Sequence, residues 1–286
     1  MQSIWSKSCH LRKREPLNKA LETEVAIIGA GMAGCLTAYL LQEAGLHVTV
    51  LESNRIGSGQ TGNTTAKVTA QHGLFYQKLI ASFGEERARQ YAQVNQAAIG
   101  EYERVITGLD IDCDWERLDA YVYGNETDTL RAEAEAAARL DLPAVYTTDF
   151  SLPLLTSGAV KFRNQAQFHP LKFLKGVSEQ LTVYEHTPVQ RLEGNQLVTP
   201  HGCVRAEKVV FATHFPFVNF PGFYFARMHQ ERSYVLALKN APKLEGMFIG
   251  AGKKDHSLRT YGDLLLFGGE SHRTGERPEG GCYQAL

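Results

Sequence analysis

A short apolar run that breaks into three glycines limits what this chain can fold into: Glu24-Val25-Ala26-Ile27-Ile28-Gly29-Ala30-Gly31-Met32-Ala33-Gly34. Val25 to Ile28 read as a buried parallel strand, because β-branched residues packed on both faces need no polar alternation. Gly29 permits a tight turn, Gly31 lets the backbone approach a pyrophosphate, and Gly34 lets the next helix lie close on the strand. That helix runs to about Ala44, with Ala38, Leu41 and Ala44 on one side, and its N-terminus offers free N–H groups and a positive dipole end to phosphate. A second strand, Leu46 to Leu51, ends in Glu52, eighteen positions after Gly34, where a carboxylate can accept hydrogen bonds from a ribose hydroxyl. In this order the parts form a dinucleotide site, and the motif alone leaves NAD and FAD both open.

With 286 residues, 43% of them hydrophobic, the chain is long enough for one large or two ordinary domains. A formal charge of −1 argues against nucleic acid or an anionic membrane as the main partner. No apolar stretch approaches the roughly 20 residues of a membrane span. The basic start, Met1 to Arg14, is not followed by the apolar core of a secretory signal. Cys9, Cys35, Cys113, Cys203 and Cys282 are scattered and odd in number, without C-x-x-C spacing, so the expectation is a reducing cytoplasm and no metal site. Cys9-His10 is an adjacent pair with no second pair to complete a metal site.

Along the chain, residues 1–22 are polar and read as an arm leading into the first strand. After Glu52 comes Arg55-Ile56-Gly57-Ser58-Gly59-Gln60-Thr61-Gly62-Asn63-Thr64-Thr65-Ala66-Lys67, a loop whose glycines free the backbone and whose hydroxyls and amide supply donors to a ligand. Helical spacing from Glu85 to about Thr107 places Tyr91 and Tyr102 on a core stripe. Arg117 to Tyr123 alternates like a strand. Thr127 to Leu140 reads as a charged surface helix started by Thr127 or Asp128, with Glu126, Glu133 and Glu135 on its solvated face. A strand begins near Phe162; His169 is a turn residue, and Pro170 suits the first turn of a helix at about Leu171 to Leu181. Short strands follow at Thr182 to His186, Val189 to Leu192, Gln196 to Thr199 and Val204 to Val210, separated by turn signals such as Glu193-Gly194-Asn195. Val209 to His214 reads as a buried strand with a small, polar end. Beyond Pro221, Arg227 to Lys239, Gly246 to Gly250, Ser257 to Tyr261 and Leu264 to Gly269 fit an antiparallel sheet of a second domain.

This order of parts resembles the FAD-dependent oxidoreductases of the D-amino-acid oxidase and glycine oxidase superfamily, over nearly all of residues 23–270. The resemblance rests on the Val25 to Gly34 fingerprint with Glu52, the Gly57 to Lys67 loop, and the strand Val209 to His214. It implies an α/β fold, a Rossmann-like FAD-binding domain interleaved with an α+β substrate domain built on an antiparallel sheet. The implied domains are an arm at 1–22, FAD binding at 23–80 and 160–217, and a substrate domain at 81–159 and 218–286. The implied cofactor contacts are Gly29, Gly31, Met32, Ala33, Gly34, Glu52, Ser53, Gly59, Gln60, Thr61, Asn63, Thr64 and Thr65, with Val189 at the adenine and Ala212 and Thr213 where a later strand returns to the dinucleotide. Ser3-Ile4-Trp5-Ser6, Arg14-Glu15-Pro16-Leu17 and Gly59 to Lys67 further resemble a bacterial subgroup whose full-length members add a C-terminal Rieske iron–sulfur domain. The paired C-x-H and C-x-x-H ligands of that domain are not in this sequence. The family's flavin-closing segment is also missing before Gly280-Gly281-Cys282-Tyr283-Gln284-Ala285-Leu286, so the expectation is a truncated member that holds FAD weakly and by itself oxidises no amine at a useful rate.

The resemblance implies hydride removal from a carbon bearing an amine to flavin N5, giving an imine that water hydrolyses, with a small-molecule amine or amino acid as substrate. The flavin carries that chemistry, and the reaction needs no protein nucleophile. A substrate carboxylate would call for an arginine's planar fork. Arg232, Arg259 and Arg273 are the candidates, with Tyr234 and Tyr261 as ring-facing hydroxyls. The alternatives are an NAD-dependent dehydrogenase, which would show a third strand soon after Glu52, and a non-catalytic dinucleotide-binding fragment.

Overall fold

The computed structural model describes residues 2–220, 222–252 and 255–275. Pro221, Cys282 and the terminal run Gly280 to Leu286 lie outside the described residues.

The elements run α1 (Ile4–Ser8), β1 (Ala20–Ile28), α2 (Met32–Glu43), β2 (Val48–Leu51), a 3₁₀ turn (Gln60–Asn63) and β3 (Lys67–Val68). Then come α3 (Tyr76–Phe83), α4 (Glu85–Gly108), β4 (Glu116–Gly124), α5 (Thr127–Arg139), β5 (Ala144–Thr147), β6 (Gly158–Gln167) and α6 (Pro170–Ser178). The remainder is β7 (Val183–Tyr184), β8 (Arg191–Glu193), β9 (Gln196–Thr199), β10 (Gly202–Phe211), α7 (Tyr224–Arg227), β11 (Glu231–Lys239), β12 (Met247–Gly250), β13 (Ser257–Tyr261) and β14 (Leu264–Arg273).

The chain divides into two units, Met1–Thr64 with Leu109–Cys113 and His169–His229, and Thr65–Gly108 with Asp114–Phe168 and Gln230–Leu286. The chain leaves the first unit inside the hydroxyl-rich loop, so 65–80 fall in the second unit rather than with the expected 23–80. β6 pairs with β4, and this pairing moves the return to the first unit from 160 to His169.

In the first unit the sheet order is β7-β2-β1-β10-β9-β8. β1 is parallel to β2 and β10, and β2 is parallel to β7, the arrangement of an open α/β sheet with crossover helices. Leu17, Ala26, Ile28, Leu51, Leu197, Val204 and Ala206 form a buried cluster. The helix stripe expected at Ala38, Leu41 and Ala44 is instead Gly34, Cys35 and Ala38, because the glycine brings the first turn of α2 down onto the sheet. The expected buried strand at Val209 to His214 is the end of β10, where Val209 and Val210 are half-buried and Phe211 is 38% exposed.

The arm is built into this unit. Trp5 is 2% exposed, its indole N–H donates to the Thr64 carbonyl at 2.8 Å, and its ring meets that of His169 edge-on. His169, expected as a turn residue, is a fully buried helix cap: Nδ1 accepts from the Lys172 N–H and Nε2 lies 2.9 Å from Ser8 Oγ. Leu17 closes the segment, buried in the core with its N–H donating to Thr187 Oγ1.

The second unit is a mostly antiparallel sheet of order β11-β14-β13-β12-β4-β6-β3, with β5 beside β6. Tyr121, Tyr123, Phe248, Leu258 and Leu265 lead a core cluster of this unit. Two expectations fail here. Tyr91 is 40% exposed, lying at the rim of the stripe that Ala88, Ala92 and Ile99 bury. Glu133, expected on a solvated face, is 2% exposed. Its carboxylate accepts the N–H groups of Phe75 (2.7 Å), Tyr76 (2.6 Å) and Gln77 (3.0 Å), so α5 caps the first turn of α3, which has no side-chain cap of its own. Among the described residues no helix is long and apolar enough to cross a membrane.

Candidate functional site

β1 ends at Ile28 and the chain turns through Gly29 at φ +107°, a backbone conformation that suits glycine. A Cβ on Gly29 would come 2.8 Å from the carbonyl oxygen of Ala212, which leaves β10 alongside it. A Cβ on Gly34 would come 1.9 Å from the Gly29 carbonyl oxygen, so the first turn of α2 sits directly on the loop. Gly31 differs: its backbone is extended, and its nearest neighbour would be Thr61 Oγ1 at 3.3 Å. The space at Gly31 is open enough for a ligand and would be filled by a side chain.

Around this turn the structure gathers residues from four segments. Glu52, at the end of β2, accepts from the Ala30 N–H at 2.8 Å and from the Asn54 N–H at 2.8 Å, and Ser53 Oγ donates to it at 3.3 Å. The 3₁₀ turn puts Thr61 Oγ1 within 2.9 Å of the Met32 N–H, at the start of α2. Asn63 Nδ2 donates to the Gly59 carbonyl and Gln60 opens the turn, so these two hold the loop's shape. Ala212 N–H donates to the Ile28 carbonyl, and Thr213 follows with its Oγ1 buried and without a hydrogen-bond partner among the described residues. Ala33 is exposed, Val189 packs on the core cluster of this unit, Thr64 receives Trp5, and Thr65 belongs to the second unit.

Glu185, which the sequence reading passed over, holds this side together. It is 1% exposed and accepts from the Arg14 N–H (3.0 Å), the Ile56 N–H (2.8 Å) and the Arg55 guanidinium (3.2 Å). Its sequence signal, Glu185-His186-Thr187 between two strands, resembles an ordinary turn. Cys35 on α2 is no nucleophile: burial, and then the Glu52 carboxylate, push its thiol up to about 12.

A family model described as FAD dependent oxidoreductase matches residues 24–282. The chain belongs to the FAD-dependent oxidoreductases. FAD is this family's cofactor, which sets the NAD-dependent alternative aside. The chain is 37% identical to YhfW of Bacillus subtilis (strain 168), named as a Rieske 2Fe-2S iron-sulfur protein, over 96% of this chain and 57% of that one. It is 26% identical to gamma-glutamylputrescine oxidoreductase of Escherichia coli (strain K12), over 69% of this chain and 50% of that one. The chain thus spans about half the length of these two relatives. Among solved structures, L-proline dehydrogenase from P. horikoshii matches with a TM-score of 0.72 at 15% identity, covering 93% of this chain and 75% of that one. Glycine oxidase from Geobacillus kaustophilus matches with a TM-score of 0.68 at 17% identity, covering 93% and 76%. At these identities the structural matches establish the fold.

The residues present fit the family's cofactor. Gly29 and Gly31 leave a cradle that side chains would fill, α2 presents its N-terminus, and Thr213 carries beside it a buried hydroxyl that has no partner among the described residues.

The catalytic candidates all lie in the second unit and fall into two groups, Arg259 with Tyr261 and Arg232 with Arg273 and Tyr234. Arg259 is fully buried; it donates to Gln167 Oε1 (2.9 Å) and the Phe168 carbonyl (3.3 Å), with its guanidinium 5.7 Å from the Tyr261 ring centroid. Tyr261 donates to Asp114 at 2.7 Å. Arg232 and Arg273 are exposed near one end of the β11–β14 ladder, where Tyr234 stacks on His272.

Proposed function

We propose that this chain binds FAD and oxidises an amine or amino acid. The observation that carries the reading is the Gly29 to Gly34 turn with Glu52 beneath it and, beside it, the buried Thr213 hydroxyl that has no partner among the described residues. When bound, FAD supplies the acceptor for a hydride from the carbon next to the substrate nitrogen. The chain's own part is to bind and orient. Gly29 and Gly31 leave the backbone clear for the pyrophosphate, with Met32, Ala33 and Gly34 starting the helix whose N–H groups face it. Glu52 and Ser53 take the ribose, Val189 the adenine, and Ala212 and Thr213 return to the dinucleotide. Gly59, Gln60, Thr61, Asn63, Thr64 and Thr65 form the strap along the cofactor.

Gamma-glutamylputrescine oxidoreductase and glycine oxidase, named for an amine and an amino acid, support this substrate class. Of the catalytic candidates, exposed Arg232 and Arg273 remain available to a carboxylate, whereas Arg259 is a fixed part of the sheet. Among the described residues Cys9, Cys35 and Cys203 are free thiols, which supports a cytoplasmic location.

The test is anaerobic mixing of the FAD-loaded protein with a panel of primary and secondary amines and amino acids. Bleaching of the flavin by at least one of them is expected. A loaded protein whose flavin no amine reduces would refute the reading.

A further inference from the structure

The basic arm packs into the first unit and walls a cavity there. Between the arm and the cofactor loop lies an open cleft of about 530 Å³, a volume that suits a small molecule. Lys13, His10 and Arg55 supply its cations, Ser6 and Ser58 its hydroxyls, and Ile56 and Leu171 a buried apolar wall. No Asp or Glu is among the lining residues, and Met1 to Arg14 contain none. The dinucleotide turn is elsewhere: Gly29 to Gly34, Glu52, Thr61 and Thr213 do not line the cleft. Asn63 is the cofactor candidate that does, and its amide N–H is already donated to the Gly59 carbonyl at 2.9 Å.

The charge around this cleft is positive. Arg55 is held at 3.2 Å by the Glu185 carboxylate and donates to the Leu11 carbonyl at 3.3 Å, which fixes its position and offsets part of its charge. Lys13 and His10 are exposed, and among the described residues neither has a carboxylate partner. The buried Cys9 thiol, also in the wall, senses the same sign of charge: burial pushes it up, and the charges of Lys175 and Lys172 on α6 act to pull it down. Several cations with hydroxyl donors and no acid suit an anion that offers many acceptor oxygens. A phosphate offers three and up to two charges, where a carboxylate offers two oxygens and one charge. The cleft is larger than a phosphate group alone, and Ile56 with Leu171 gives an organic part an apolar face.

We propose that the cleft between the arm and the cofactor loop is a second ligand site, separate from the dinucleotide turn, that takes a small organic phosphate. Lys13 from the arm and the fixed Arg55 guanidinium meet the phosphate oxygens, Ser6 and Ser58 add hydroxyl donors, and the organic part lies on Ile56 and Leu171. Binding is reversible and changes no covalent bond. The inference does not depend on which amine the flavin oxidises, or on whether it oxidises one.

The experiment is calorimetric titration of the FAD-loaded protein with phenyl phosphate at pH 7.5, above the second ionisation of a phosphomonoester at about pH 6. FAD occupies the dinucleotide turn, and flavin absorbance shows whether it stays there. Saturable binding at one site per chain is expected, with benzoate at least threefold weaker and phenol at least tenfold weaker. Lys13→Glu places an acid at the cleft and should weaken phenyl phosphate at least tenfold. Ser6→Phe fills the cleft without altering its charge and should do the same. Both variants should keep the flavin content and melting temperature of the wild type. No saturable binding, phenol or benzoate binding as tightly as phenyl phosphate, or binding unaltered in Lys13→Glu overturns the proposal. Release of the flavin as phenyl phosphate binds also overturns it, because the probe would then be taking the dinucleotide turn. If Ser6→Phe does not fold, Lys13→Glu and the comparison of the three ligands still decide it.

Discussion

At the scale of single residues, Gly31 and Gly34 lie in one motif and serve different ends. A Cβ at Gly34 meets the backbone of Gly29, which cannot yield, whereas at Gly31 it meets only the Thr61 hydroxyl. Gly34→Ala is therefore expected to destabilise the protein by several kcal/mol, as overpacking against fixed backbone does. Gly31→Val should keep a near-normal melting temperature and lose FAD. Melting curves and bound-flavin content of the two variants separate these outcomes. Thr213→Val is the matching test of the orphan hydroxyl. Removing it should leave the apo-protein as stable or slightly more so and weaken FAD by about 0.5–1.5 kcal/mol, roughly three- to tenfold. Lys67 predicts a pH dependence, because burial, and then the positive charge of Arg259, push its ammonium down to about 7. Between about 7 and its ordinary value of 10.5 the unfolded chain holds the Lys67 proton and the folded chain does not, so this residue makes stability rise with pH in that window. The slope is at most about 1.4 kcal/mol per pH unit. Denaturant titrations of the wild type and Lys67→Met at pH 7 and pH 9 should show a difference that narrows as pH rises.

At the scale of elements, the second unit borrows a cap. α3 begins at Tyr76 after Phe75, whose side chain cannot accept a hydrogen bond, and the Glu133 carboxylate from α5 accepts the first N–H groups instead. Glu133→Ala leaves three backbone donors in a buried place and is expected to cost about 2–4 kcal/mol, with Glu133→Gln recovering part of it. Urea unfolding of both variants measures this. A fall below 0.5 kcal/mol for the alanine variant would mean that water replaces the carboxylate at no cost. In the first unit Glu185 performs a similar task for loop and arm, fastening the Arg14, Arg55 and Ile56 backbone and side-chain donors to the strand edge near β7.

At the scale of the molecule, a ligand that binds the folded state alone stabilises it by mass action, by about 2.7 kcal/mol at a hundredfold excess over its Kd. FAD added to apo-protein should therefore raise the melting temperature in a concentration-dependent way, and NAD should not; equal shifts from both would contradict the family's cofactor. The sequence by itself determined the first βαβ unit, because its signals are local: an apolar run, glycines at fixed spacing, an amphipathic stretch and an acid at the end of the next strand. It also determined most strand positions in the second half, where turn residues punctuate short apolar segments. Only the tertiary structure decided which charges are buried. Glu133, Glu185, Lys67 and Arg259 look in sequence like any solvated charge, since their hydrogen-bond partners lie 56 to 190 positions away. The buried Trp5 and His169 contact is likewise invisible along the chain, because the two residues are 164 positions apart in sequence.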